Sequence, residues 1–123
     1  MEKVVANHDF DMYMMGNNLT ADPDLTAYWS SAAVSNEAGD MGWNISGFTT
    51  PELDKILETG AGTTDIEARK AAYKEFAVYM NEQIPWMYLF EQDIIIAANP
   101  KLEGFNPSVF RDFADAQNWS LSK

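Results

Sequence analysis

With 123 residues, 46% of them apolar and 13% aromatic, the chain is long and apolar enough for one packed domain and is not a disordered segment. Nineteen acidic residues against eight basic ones give a net charge of −11, a field that repels phosphate backbones and anionic membranes and argues against a nucleic-acid partner. The absence of cysteine excludes disulfides, thiolate zinc sites and cysteine nucleophiles.

The opening Met1-Glu2-Lys3-Val4-Val5-Ala6 lacks the long apolar stretch and small-residue cleavage site of a signal peptide, so no export signal is expected in this chain. No apolar run approaches the roughly 20 residues of a membrane span. Phe10-Asp11-Met12-Tyr13-Met14-Met15 is a short apolar run closed by Gly16 and two asparagines, which predicts a buried strand. Residues 16–50 show no sustained periodicity; Asp22-Pro23-Asp24 marks a turn, and Gly39, Gly42 and Gly47 punctuate the remainder. Within this stretch, residues 25–33 have room for a helical turn or two presenting Tyr28 and Trp29. An irregular segment of such length points to a functional loop.

Helical signals follow. Thr50 as N-cap, Pro51 at the first helical position and Gly60 as the stop predict a helix over 51–59, with Leu53, Ile56 and Leu57 as its apolar stripe. The capping box Thr64-Asp65-Ile66-Glu67 opens a second helix over 65–83, striped by Ile66, Tyr73, Phe76, Ala77, Met80 and Ile84 and stopped by Pro85. The runs 86–90 and 94–98 are continuously apolar, the pattern of strands covered on both faces, with Glu91-Gln92-Asp93 between them. The tail holds Leu102, Phe105, Val109, Phe110, Phe113 and Trp119 without a period, an apolar density that needs covering. The fold class expected is mixed α/β.

Little here suggests catalysis. The single histidine, His8, lies in a polar stretch and reads as an exposed bystander, and no Gly-x-Ser-x-Gly elbow accompanies it. One imidazole without thiolates cannot build a histidine-rich metal site, Asp22-Pro23-Asp24 lacks the glycine and terminal glutamate of a calcium loop, and Gly60-Ala61-Gly62 follows a helix where a phosphate cradle would follow a strand. No catalytic residue, metal or cofactor is therefore expected. Loop carboxylates (Asp22, Asp24 and Asp40) keep a two-carboxylate glycosidase open, and the aromatic tail keeps open a purely structural or partner-docking domain. The binding reading uses what is left. Asn17, Asn18, Asp22, Trp29, Trp43 and Asn44 are polar and aromatic side chains in the irregular region, suited to amides, hydroxyls and stacking faces. Either tryptophan could equally be core, and Asp22 could simply organise its turn.

The order of these features resembles a known family. Asp9-Phe10-Asp11-Met12 leads to a glycine-initiated loop and Asp22-Pro23; then come Asn44-Ile45-Ser46-Gly47-Phe48, Pro51-Glu52-Leu53-Asp54-Lys55-Ile56-Leu57, Glu67-Ala68-Arg69-Lys70 with Tyr73, Ile84-Pro85 with Tyr88, Gly104-Phe105 and Trp119-Ser120-Leu121. From about Asp9 onward this succession resembles the C-terminal portion of the family 5 extracellular solute-binding proteins, which bind oligopeptides, dipeptides and nickel. The resemblance implies part of a two-lobed periplasmic-binding-protein type II fold, with about 9–90 in the second lobe and about 91–123 forming an interlobe crossing and a tail toward the first. It implies an extracytoplasmic bacterial protein, periplasmic or lipid-anchored, that delivers a small solute to the membrane permease of an ABC importer, with the N-terminal lobe outside this chain. The peptide binders of the family carry a Gly-Trp start and an early aspartate in the loop after the first strand. Gly16-Asn17-Asn18-Leu19-Thr20-Ala21-Asp22-Pro23 has neither, which leaves oligosaccharide as an alternative to peptide.

Overall fold

The computed structural model describes residues 2–18, 20–34, 42–108, 110–111 and 113–122. Val109 and Asp40 of the sequence reading lie outside them. Two helices organise the larger part of the chain, and their capping chemistry explains where they begin. Thr50, in extended backbone conformation, accepts the Leu53 N–H on Oγ1 at 3.1 Å and so opens helix α2, Pro51–Ala61; Pro51 occupies a position where no N–H is needed. Glu52 and Asp54 in its first turn suit the helix dipole, and Asp54 also accepts the Ser31 N–H at 2.8 Å. Helix α3, Ile66–Gln83, opens at Asp65, whose Oδ1 accepts the Ala68 N–H at 2.7 Å. The cap is thus one residue later than the Thr64 box suggested. A short helix α1, Thr26–Trp29, and a 3₁₀ turn, Ser31–Ala33, precede them, and a π turn spans Glu2–Ala6.

α1, α2 and α3 meet in one core. Trp29, Leu53, Ile56, Leu57, Phe76 and Met80 are buried together, with Leu25, Tyr28, Phe48, Tyr79 and Trp86 against them. Each large apolar side chain removed from water here contributes about 1.5–3 kcal/mol. Gly60 is inside α2 rather than its stop. It is buried against the ring of Tyr73, where a Cβ would stand 3.1 Å from the nearest ring carbon, and the helix closes at Gly62 through its N–H to the Glu58 carbonyl. The stripe of α3 also differs from the sequence reading. Its buried line is Ala72, Phe76 and Met80, whereas Ile66 and Ala77 are exposed because α2 covers only one narrow face. Ile84 is exposed as well: it leaves the helix in the left-handed conformation (φ 48°), donating its N–H to the Met80 carbonyl, and Pro85 follows.

The expected strands at 10–15 and across 86–98 are not formed. Neither segment pairs with another among the described residues, and Met12, Met14, Phe90 and Ile95 are each more than four-fifths exposed. A strand exists through its ladder, and no described segment supplies one. The chain is therefore mixed helix and strand with helix dominant, and it divides into two compact units, residues 1–18 with 22–88 and residues 19–21 with 89–123. The second unit holds a minimal antiparallel pair, β1 Leu102–Glu103 and β2 Ser120–Leu121, in the register Leu102 to Leu121. Phe105 and Phe113 pack on Trp119 at centroid distances of 5.1 and 5.5 Å. Gly104 makes this turn possible: its φ is +75°, and a Cβ would fall 2.6 Å from the Asn118 carbonyl oxygen.

Candidate functional site

The irregular segments of the first unit are held by polar side chains working as braces. Asn44 is fully buried; its Nδ2 donates to the carbonyls of Ser30 (3.2 Å) and Phe48 (3.1 Å), and its Oδ1 accepts from Ser46 Oγ (2.9 Å). Such an amide, satisfied on both ends, fixes residues 44–48 against the end of α1. His8 is not a bystander. Its Nδ1 donates to the Ile45 carbonyl at 2.9 Å, and its ring packs beside Gly47, so it ties the N-terminal segment to the same loop.

Asp22 begins a second brace. Its Oδ1 accepts the Asp24 N–H at 2.9 Å and a charge-assisted bond from Arg69 Nη2 at 2.5 Å. Asp24 in turn accepts from the Thr26 N–H (2.9 Å) and Oγ1 (2.6 Å), supplying the cap that Leu25 cannot give α1. The Asp24 N–H, followed by the Arg69 guanidinium, holds the Asp22 carboxyl below its ordinary range.

Of the six candidate residues, four gather about α1: Asp22 and Trp29 before and within it, Asn44 behind it, and Trp43 against its Tyr28. Trp29 and Asn44 are 1% and 0% exposed, and both side chains form part of the scaffold built around α1. Trp43 is half exposed, with its ring 6.4 Å from that of Tyr28 and tilted 56° to it, which leaves an aromatic surface open for stacking. Asn17 and Asn18 are exposed on the segment that leads to Asp22. The sequence reading left Tyr28 out of the six and gave Arg69 no role; the four-residue spacing of Arg69 and Tyr73 on a helix, with the guanidinium over the ring at 5.7 Å, is the local signal for the latter.

Elsewhere in this unit an open groove of about 400 Å³ is lined by Phe76, Met80, Ile84, Trp86, Met87 and Tyr88, nearly all apolar. Among the described residues no group of three or more His, Asp or Glu side chains could hold a metal, and no helix is long and apolar enough to cross a membrane. The arrangement offers aromatic faces and amide or carboxylate edges, the materials of recognition.

No family model matches the chain, and no solved structure matches it. Three curated proteins do. The oligopeptide-binding protein AppA of Bacillus subtilis is 25% identical over 117 residues, 95% of this chain and 21% of the relative. The heme-binding protein A of Haemophilus influenzae is 26% identical over 95 residues, 77% of this chain, and the probable di/tripeptide-binding protein 5 of Pseudomonas aeruginosa is 27% identical over 113 residues, 88% of this chain. The chain spans about a fifth of the length of the curated relatives it matches. All three carry the names of solute-binding proteins, in agreement with the family that the order of motifs resembles.

Proposed function

We propose, from this similarity to solute-binding proteins, that the chain is the C-terminal portion of the substrate-binding component of an ABC importer, which captures an oligopeptide outside the membrane and hands it to the permease. The observation that carries the reading is the match to peptide-binding relatives over 95% and 88% of the chain. In this reading the parent has the two-lobed type II periplasmic-binding fold, residues 9–90 belong to the second lobe, and residues 91–123 form the crossing and tail. The exposed apolar runs at 87–90 and 94–96 are then faces that the first lobe covers. The solute-facing wall consists of Asn17, Asn18, Asp22 and Trp43 with Tyr28, and Trp29 and Asn44 stand behind it. None of the three relatives is named as an enzyme or an oligosaccharide binder, so glycosidase and oligosaccharide readings are not favoured. A carrier has to return its ligand unchanged, which needs positioned contacts without tuned nucleophiles.

The test is a set of three variants in the full gene product that carries this chain. Trp43→Ala and Asn17→Ala should weaken peptide binding and leave the melting temperature nearly unchanged, whereas Trp29→Ala should lower the melting temperature itself. Normal peptide binding by both Trp43→Ala and Asn17→Ala removes these residues from the wall.

A further inference from the structure

Three ion pairs occur among the described residues, and two are local: Lys3 with Asp9, and Lys70 with Glu67 three residues away. The third joins Arg69 to Asp22 across 47 positions of sequence. Local pairs on exposed side chains contribute little to a fold, so the long one is the pair with architectural content. Arg69 is built for it. Its side chain is 29% exposed, lies over the Tyr73 ring, and is anchored one turn into α3, a helix packed into the core. A guanidinium fixed in this way loses little freedom on meeting a carboxylate. Asp22 receives the bond with the same Oδ1 that accepts the Asp24 N–H, and Asp24 caps α1. The relay therefore runs from α3 through Arg69, Asp22 and Asp24 to Thr26 and ends three residues before the buried Trp29.

We propose that Arg69 is a positioning residue for solute recognition: through Asp22 and Asp24 it latches the start of α1, which carries Tyr28, onto α3 and sets where that segment stands. The inference rests on the reading that this segment faces solute. It also gives the Asp22 carboxylate a partner within the chain, so the contact Asp22 offers a solute is that of a carboxylate already neutralised by a guanidinium. Such a group suits amide N–H donors better than a second cation.

The test compares Arg69→Gln, Arg69→Lys, Asp22→Asn and the Arg69→Gln/Asp22→Asn double variant in the full gene product. Hydrogen–deuterium exchange of the Asp24 and Thr26 amides reads the latch without any solute, and trialanine affinity reads its consequence. Arg69→Gln should raise exchange at those amides roughly two- to five-fold, the range of an exposed ion pair, with α2 and the rest of α3 unchanged. Arg69→Lys should lie between wild type and Arg69→Gln, and the double variant should exceed Arg69→Gln by less than the effect of Asp22→Asn alone. Trialanine affinity should fall in step with exchange. Unchanged exchange in Arg69→Gln, strictly additive single effects, or raised exchange with unchanged affinity overturns the proposal. A wild-type protein that binds no peptide sinks the peptide reading instead, and the exchange data then decide the latch alone.

Discussion

Trp29 and Trp86 lie with ring centroids 4.2 Å apart, so the chain that leaves α3 is folded back onto α1 by an aromatic contact. Phe76 meets the same Trp29 ring edge-on at a centroid distance of 6.3 Å. The core of the first unit is thus centred on a tryptophan that the sequence presents in a loop. Trp29→Ala should lower stability by about 3–5 kcal/mol, the cost of truncating a large buried aromatic. Urea denaturation checks this, and a loss below 1 kcal/mol would mean that Trp29 is not the centre of the core.

Gly60 and Tyr73 set the separation of α2 and α3. Alanine is favoured over glycine in a helix by about 1 kcal/mol, but a Cβ at Gly60 would press on the Tyr73 ring at 3.1 Å, and overpacking costs about 1–3 kcal/mol. Gly60→Ala should therefore destabilise the wild-type chain and stabilise the Tyr73→Ala background. Thermal melts of the four combinations reveal the sign change; the same sign in both backgrounds would remove the contact from the account.

Thr50 has two duties, capping α2 and sharing a 2.7 Å hydrogen bond with the Tyr79 hydroxyl on α3. Thr50→Ala should cost about 1–2 kcal/mol, and Thr50→Ser should recover most of it. Equal losses in both variants would show that the hydroxyl is not what matters.

The Asp22 latch has a pH signature. Its carboxyl is held below the ordinary range in the folded chain, first by the Asp24 N–H and then by Arg69. A group with a lowered folded pKa contributes above its unfolded value and loses that contribution as pH falls through the folded one. Exchange at the Asp24 amide, which donates to Asp22, should be flat, once corrected for intrinsic rates, from neutral pH down to the ordinary carboxylate range and rise below it. Asp22→Asn should abolish that dependence, and a wild-type profile matching that of Asp22→Asn would refute the latch as a charged contact.

Much of the helical structure was legible in the sequence because its signals are local. Thr50 with Pro51, and Ile84 with Pro85, mark boundaries through chemistry contained within a few residues, and α2 and α3 are found close to where those residues place them. Gly60 misled for the same reason: a glycine near a helix end reads as a stop, and only the distant Tyr73 ring reveals it as a point of close approach. The apolar runs at 10–15 and 86–98 carry a strand's composition, but a strand also needs a neighbour, and composition cannot show whether one is there. Which of the candidate side chains are exposed was not legible in the sequence. Asn44 and Trp29 have the chemistry of a binding surface, yet burial is decided by α1 and the loop beyond it. Arg69 was invisible because its partner Asp22 is 47 positions away.

The central claim is that the chain belongs to a carrier that holds a peptide and returns it intact. Native mass spectrometry of the full gene product, incubated with a mixture of peptides of two to eight residues, tests it most directly. The account predicts one peptide bound per protein, with every released peptide at its original mass. An absence of any peptide adduct, or the appearance of shortened peptides, would contradict it.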